Sequence, residues 1–152
     1  MTLPNIGTRK DAVVMIAFDT NSPSTFTNAC GCKNFNIDVN NEIHSEKVGD
    51  CEDWEKPIET LKSYSAQNVT ASMDATWSSK THVKMSAWAM NQLYLPVRIH
   101  FPFAASSEIE YYDGVALLTS LNIANIGNTD GAPITESISL EFNGGLHETL
   151  KT

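Results

Sequence analysis

Hydrophobic and polar positions alternate with period two through much of this chain. In ITESISLEFNGG (Ile134 to Gly145), Ile134, Ile138, Leu140 and Phe142 share one phase with Glu136, while Thr135, Ser137, Ser139 and Glu141 take the other. A strand so patterned buries one face and leaves the other polar. NFNIDVN repeats the design, with Phe35, Ile37 and Val39 against Asn34, Asn36, Asp38 and Asn40. QNVTASMDATW sets Val69, Ala71, Met73, Ala75 and Trp77 against Asn68, Thr70, Ser72, Asp74 and Thr76. VRIHFPF puts Val97, Ile99, Phe101 and Phe103 in phase, and AVVMIAF (Ala12 to Phe18) is short and rich in β-formers, as a buried strand is.

The period changes once. THVKMSAWAMNQLY places Val83, Ala87 and Met90 on one helical stripe, widened by Met85, Trp88 and Ala89. This predicts a helix over residues 80–93, with a hydroxyl near Ser79 or Thr81 to cap it and Pro96 to limit its far end. YYDGVALLTSLNIANIG carries a turn signal at Asp113-Gly114 and then a long strand to about Ile123. Residues 44–60 show no sustained period and hold Glu46, Asp50, Glu52, Asp53, Glu55 and Glu59 against Lys47 and Lys56, which predicts a long acidic loop. Trp54 in that loop either meets a partner or pins the loop to its own domain. Residues 1–10 form an N-terminal arm and 144–152 a C-terminal tail. The sum is one domain over residues 1–152: six or seven strands and one helix, an antiparallel two-sheet β-sandwich or open barrel with a flanking α-helix.

Composition sharpens this picture. The apolar share of 41% is that of a globular chain, and uncharged Ser, Thr and Asn carry much of the polarity. A net charge of −8 with scattered Lys and Arg argues against binding a phosphate backbone, though not against a surface that nucleic acid passes without sticking. Arg9-Lys10 before AVVMIAF imitates a targeting signal, but Asp11 and Asp19 interrupt it and the apolar run is too short to span a membrane.

Candidate chemistry is sparse. There is no phosphate loop, no nucleophile elbow and no pair of His residues at helical spacing. His44, His82, His100 and His147 lie far apart and read as surface or capping residues. Cys51 sits between Asp50 and Glu52, a poor setting for a nucleophile. Cys30, Cys32, Cys51 and His44 lack the paired rhythm of a zinc site, and a bridge from Cys51 to Cys30 or Cys32 is the alternative to free thiols. Asn68-Val69-Thr70 matches a glycosylation acceptor without a secretory route to support it. No acid is paired locally in an apolar setting suited to acid catalysis. Nothing speaks for an enzyme, a cofactor or a metal.

DGVALLTSLNIANIGNTDGAPITESISLEFNGGL resembles the closing segment of the tail tube (major tail) proteins of long-tailed bacteriophages and gene-transfer particles. The features that carry the resemblance are Gly114, Ala116, Leu118, Thr119, Ser120, Gly127, the Ser137-Ile138-Ser139-Leu140 alternation and Gly144. Phe26 to Cys32 resembles the family's lead into an alternating strand, and the loop with Cys51 and Trp54 stands where the family has a long inter-strand loop. SAQNVTASMDATW resembles the following strand, with Asp74-Ala75 in place of a frequent glycine. The resemblance implies six copies per ring, rings stacked into a tube in a virion tail assembled in the host cytoplasm, and DNA passing through. It also implies tail terminator, tape measure and distal tail proteins as partners, and no membrane. On that basis Asp38, Asp74 and Glu141 are candidate bore-facing acids, the alternative being that they face outside water. Arg9 and Lys10 with Asp50, Glu52, Asp53 and Trp54 are candidates for the ring-to-ring contact. The competing expectations are a secretion-tube or tail-completion ring of the same fold and a monomeric β-sandwich binding module. For the last, Tyr111, Tyr112 and Trp54 would form the platform.

Overall fold

A computed structural model describes residues 6–7, 12–28 and 32–152 of the chain. Along them run β1 (Val13–Ile16), β2 (Thr27–Asn28), β3 (Cys32–Val48), β4 (Glu59–Thr76), the helix α1 (Ser79–Met90), β5 (Tyr94–His100), β6 (Ile109–Ala124) and β7 (Thr135–Leu150). All neighbours pair antiparallel in the order β2-β1-β5-β6-β7-β4-β3. The mainly β architecture with one flanking helix is the one the alternation predicts. The expected pair of sheets is instead one hydrogen-bonded sheet. Its halves are joined because β6 and β7 serve both: β7 pairs with β4 along Thr135–Glu141, and β6 pairs with β5 along Tyr111–Leu117.

One face of the sheet is apolar and covers α1. Val69, Ala71, Met73, Ile138, Leu140, Ala116, Leu95 and Val97 are buried there with Met85 and Trp88 of the helix. Ile16 of β1 and Val69 of β4 join the same cluster although three strands lie between β1 and β4, so the sheet curls around the helix. Trp88 is fully buried and its Nε1–H donates to the Leu93 carbonyl at 2.9 Å, which closes the turn after α1. Burial of such a side chain is worth about 1.5–3 kcal/mol, and the hydrogen bond removes the cost of hiding its polar atom.

Several local expectations change. In α1 the buried residues are Thr81, Met85 and Trp88, whereas Val83 and Met90 are exposed. The predicted stripe is therefore split: Met85 and Trp88, which widened it, face the core, while Val83 and Met90 face outward, so the helix is apolar on both sides. Ser78 occupies the N-cap without a side-chain hydrogen bond, so the expected hydroxyl cap is not made. The stretch 44–60 is largely strand: β3 runs to Val48 and β4 starts at Glu59, which leaves residues 49–58 as the turn. A register shift between Asn41 and Ile43 hides the period. Asp113-Gly114 is no hairpin turn, since β6 runs through it with a shift between Asp113 and Val115. Glycine is needed there because a Cβ would lie 2.7 Å from Phe142 Cδ1 and 3.0 Å from the Gly145 carbonyl. The expected tail at 144–152 is mostly strand too: β7 continues to Leu150 through Gly144 and Gly145, whose φ values of +82° and +80° suit a bend.

Candidate functional surfaces

The face opposite the core is polar across four strands. Alternation sends every second residue of β3, β4, β7 and β6 to it, and the register sets them in rows. Asp38 lies opposite Thr70, which lies opposite Glu141. Asn36, Ser72, Ser139 and Ser120 form the next row, and Lys33, Asp74, Ser137 and Asn122 the one after. Asp38, Asp74 and Glu141 are thus on one face, all exposed, among short hydroxyl and amide side chains. Ser137 Oγ–H points at Asp74 Oδ1 from 3.5 Å. Lys33 stands opposite Asp74.

Both borders of this face are open. β3 has no described strand beyond it. On the other side β5 leaves β6 at Leu117, so among the described residues Leu118–Ala124 pairs only with β7. Of the residues that blunt a sheet edge, β3 carries Lys33 and Lys47 near its ends. Unpaired N–H and C=O groups along such edges are templates for another strand.

Beyond Val39 and Val69 the β3–β4 pair leaves the body as a two-stranded arm, because β7 stops pairing with β4 at Thr70. Every residue from Asp38 to Asn68 is exposed. The arm carries Ile43 opposite Tyr64, and at its tip Ile58 and Trp54. Trp54 is 93% exposed, which removes the possibility that it pins the loop to its own domain. The tip is ordered by Asp50, whose Oδ1 accepts from the backbone N–H of Glu52 at 2.8 Å and of Asp53 at 3.1 Å, while Lys56 Nζ reaches Oδ2 at 3.3 Å. The first of these contacts leads in holding the Asp50 carboxyl below its usual range of about 3.8. Arg9 and Lys10, the other half of the expected contact, lie outside the described residues, as does Cys30.

The remaining candidates are kept apart by the fold. Cys32 is at the base of β3 and Cys51 in the turn beyond its far end, separated by a strand of roughly 50 Å, so they neither bridge nor share an ion within one copy. Among the described residues no group of three or more His, Cys, Asp or Glu is placed to hold a metal. Tyr111 does not form a platform with Trp54: its ring stacks 4.1 Å from the Arg98 guanidinium, which Phe26 covers at 4.2 Å. Arg98 also forks onto Asp113 at 2.6 and 3.2 Å, and that hydrogen bonding raises its pKa. Tyr112 packs edge-on against Phe101. A groove of about 470 Å³ lies beside this pair, lined by Phe101, Phe103, Glu108 and Ile109.

One polar pair with a buried acid joins α1 to β7. Glu136, 2% exposed, lies 2.6 Å from His82 Nδ1 of α1, and Trp77 covers the imidazole at 5.7 Å. This acid does sit in apolar surroundings. Its presence in the apolar phase of β7 was the available signal, but its partner lies on a different element. No helix among the described residues is long and apolar enough to cross a membrane.

A family model described as phage tail tube protein matches residues 8–148. No curated protein matches by sequence. Among solved structures, the tail of an empty gene transfer agent particle with C6 symmetry aligns at a TM-score of 0.68 and 15% identity, covering 95% of this chain and 99% of that one. The SPP1 tail tube aligns at 0.67 and 9% identity, covering 95% and 79%. The tube-terminating cap of the anti-feeding prophage aligns at 0.63 and 10% identity, covering 99% and 95%. At these identities the likeness establishes the fold.

Proposed function

We propose, from the premise that the chain belongs to the phage tail tube protein family, that it is a structural subunit which closes into six-membered rings and stacks them into the conduit of a virion tail. The observation that carries this is the pair of open borders on the polar face. Edge pairing of β3 in one copy with Leu118–Ala124 of β6 in the next would satisfy both borders and continue the face around an axis. The C6 symmetry of the gene transfer agent tail supports six copies. Four strands from each copy then make a wall of twenty-four. At about 4.8 Å per strand the backbone cylinder is roughly 37 Å across untilted and about 50 Å at the usual tilt.

The polar rows would line that bore. Asp38, Asp74 and Glu141 would repel phosphate, and the short hydroxyl and amide side chains between them offer DNA little to hold. Arg98 is consistent with this role, since Asp113 neutralises it and two rings cover it. The arm, with Asp50, Glu52, Asp53 and Trp54 at its tip, makes the ring-to-ring contact, to which Arg9 and Lys10 add positive charge. A tail terminator and a distal tail protein finish the two ends, and a tape measure protein fills the bore before DNA. The role is structural rather than catalytic. Electron cryomicroscopy of the purified protein tests the reading: hollow six-fold rings or tubes with the polar face inward are expected, and a monodisperse single copy at high concentration would overturn it.

A further inference from the structure

At one end of β4 the described surface is acidic, and at the other end stands a helix whose charged side chains are cations. The acidic end is the arm's tip, where Asp50, Glu52, Asp53, Glu55 and Glu59 surround the exposed Trp54 and Ile58 against Lys56 in the turn and Lys47 beside it on β3. β4 starts at this tip and ends at Thr76, three residues before α1. Eighteen residues of strand separate the two by roughly 55 Å.

The helix at the far end carries Lys80 and Lys84 and no acid. Lys80 lies in the first turn, where the helix dipole disfavours a cation and favours an acid, and none is there. Local stability therefore does not account for this placement. Lys80, Val83 and Lys84 share the outward side of the helix and all are exposed, Val83 at 68%. Lys84 Nζ lies 5.3 Å from the Phe18 ring, which leaves its charge on the surface. The outward side thus pairs an apolar side chain with two cations, as the tip pairs apolar side chains with acids.

We propose that the tip of one copy docks on the outward side of α1 in a copy of the adjoining ring, with Trp54 against Val83 and Glu52, Asp53 and Glu55 facing Lys80 and Lys84. This rests on the tube reading and names the surface that receives the arm. Stacking rings in one orientation brings the tip end of each copy to the helix end of the next. The Phe101–Ile109 groove is the competing apolar surface. It lies where β5 ends and β6 begins, on the same strand ends from which the arm projects, and Glu108 lines it. Stacking in one orientation does not deliver the tip to that groove.

The test uses three full-length chains beside the unaltered one. K80E/K84E and E52K/E55K each reverse one end, and the fourfold variant reverses both. The backbone bonds that order the tip use the N–H groups of Glu52 and Glu55, so those side chains are free to change. Each single-end variant is expected to form rings yet to need at least tenfold more protein for tubes, and the fourfold variant to return to the original threshold. Carbodiimide coupling in tubes mixed from ¹⁵N-labelled and unlabelled copies should join Lys80 or Lys84 to the tip acids between copies. Normal tubes from K80E/K84E, or a fourfold variant no better than its parents, would overturn the docking and leave the tube reading standing. Failure of the unaltered chain to form either rings or tubes would overturn the tube reading itself.

Discussion

Glu136 takes a place in β7 that the neighbouring pattern reserves for aliphatic side chains, and it keeps that place because His82 reaches it across the gap between sheet and helix. A buried acid with a partner costs less than one buried alone. His82→Ala, which leaves the buried acid without its partner, is therefore expected to lose about 1–3 kcal/mol in urea unfolding, and adding Glu136→Leu to recover most of it, a non-additivity that a double-mutant cycle measures. Asp50 shows the opposite case, an acid in water whose geometry is local. Its folded-state pKa is depressed, so its contribution to tip order is complete above the ordinary carboxylate value and is lost as the pH falls through the lower, folded one. The amide resonances of Glu52 and Asp53 should accordingly titrate with a midpoint below 3.8, and a midpoint at or above that value would contradict the hydrogen bonds. The Asp50 arrangement spans three residues and is the kind a sequence can reveal; the His82–Glu136 pair spans 54 positions and is not.

The elements differ in how plainly the chain announces them. Strands with one buried face were legible, since β4, β5 and β7 alternate over the stretches that cover the core. The arm was not, because both of its faces are wet and a register shift breaks its phase, so nothing in the pattern separates it from a loop. The helix was found in place but its buried side was only half legible, for the reason that Val83 and Met90 make its outward side apolar as well as the side of Met85 and Trp88. A two-stranded ribbon is marginal in water by itself, and this one is long and carries Tyr64, Leu61 and Ile43 uncovered. Replacing residues 49–58 by a two-residue Asn-Gly turn should leave the far-ultraviolet circular dichroism and the unfolding midpoint of the body nearly unchanged while abolishing tubes. A proline scan over Ser120–Ile123 bears on the free border of β6 in the same way. Positions whose N–H faces the border should fold and fail to close rings, and the alternate positions, bonded to β7, should lose stability.

At the scale of the whole molecule the three acids Asp38, Asp74 and Glu141 were legible as outward residues of their own strands, but only the pairing order β3-β4-β7-β6 shows that they share a surface. Changing all three to Lys should preserve tube assembly and make the tubes retain double-stranded DNA. That retention should weaken with salt, by a slope of about 0.9 for each phosphate engaged, whereas unaltered tubes should retain none. The asymmetry of the single chain has a last consequence. On the tube reading, a subunit with an acidic arm at one extremity and the α1 lysines at the other builds a directional object. The cylinder's two mouths then present different chemistry, so two such cylinders repel when brought mouth to like mouth, and one kind of plug cannot seal both. On that reading, whatever starts the structure and whatever halts it meet different surfaces.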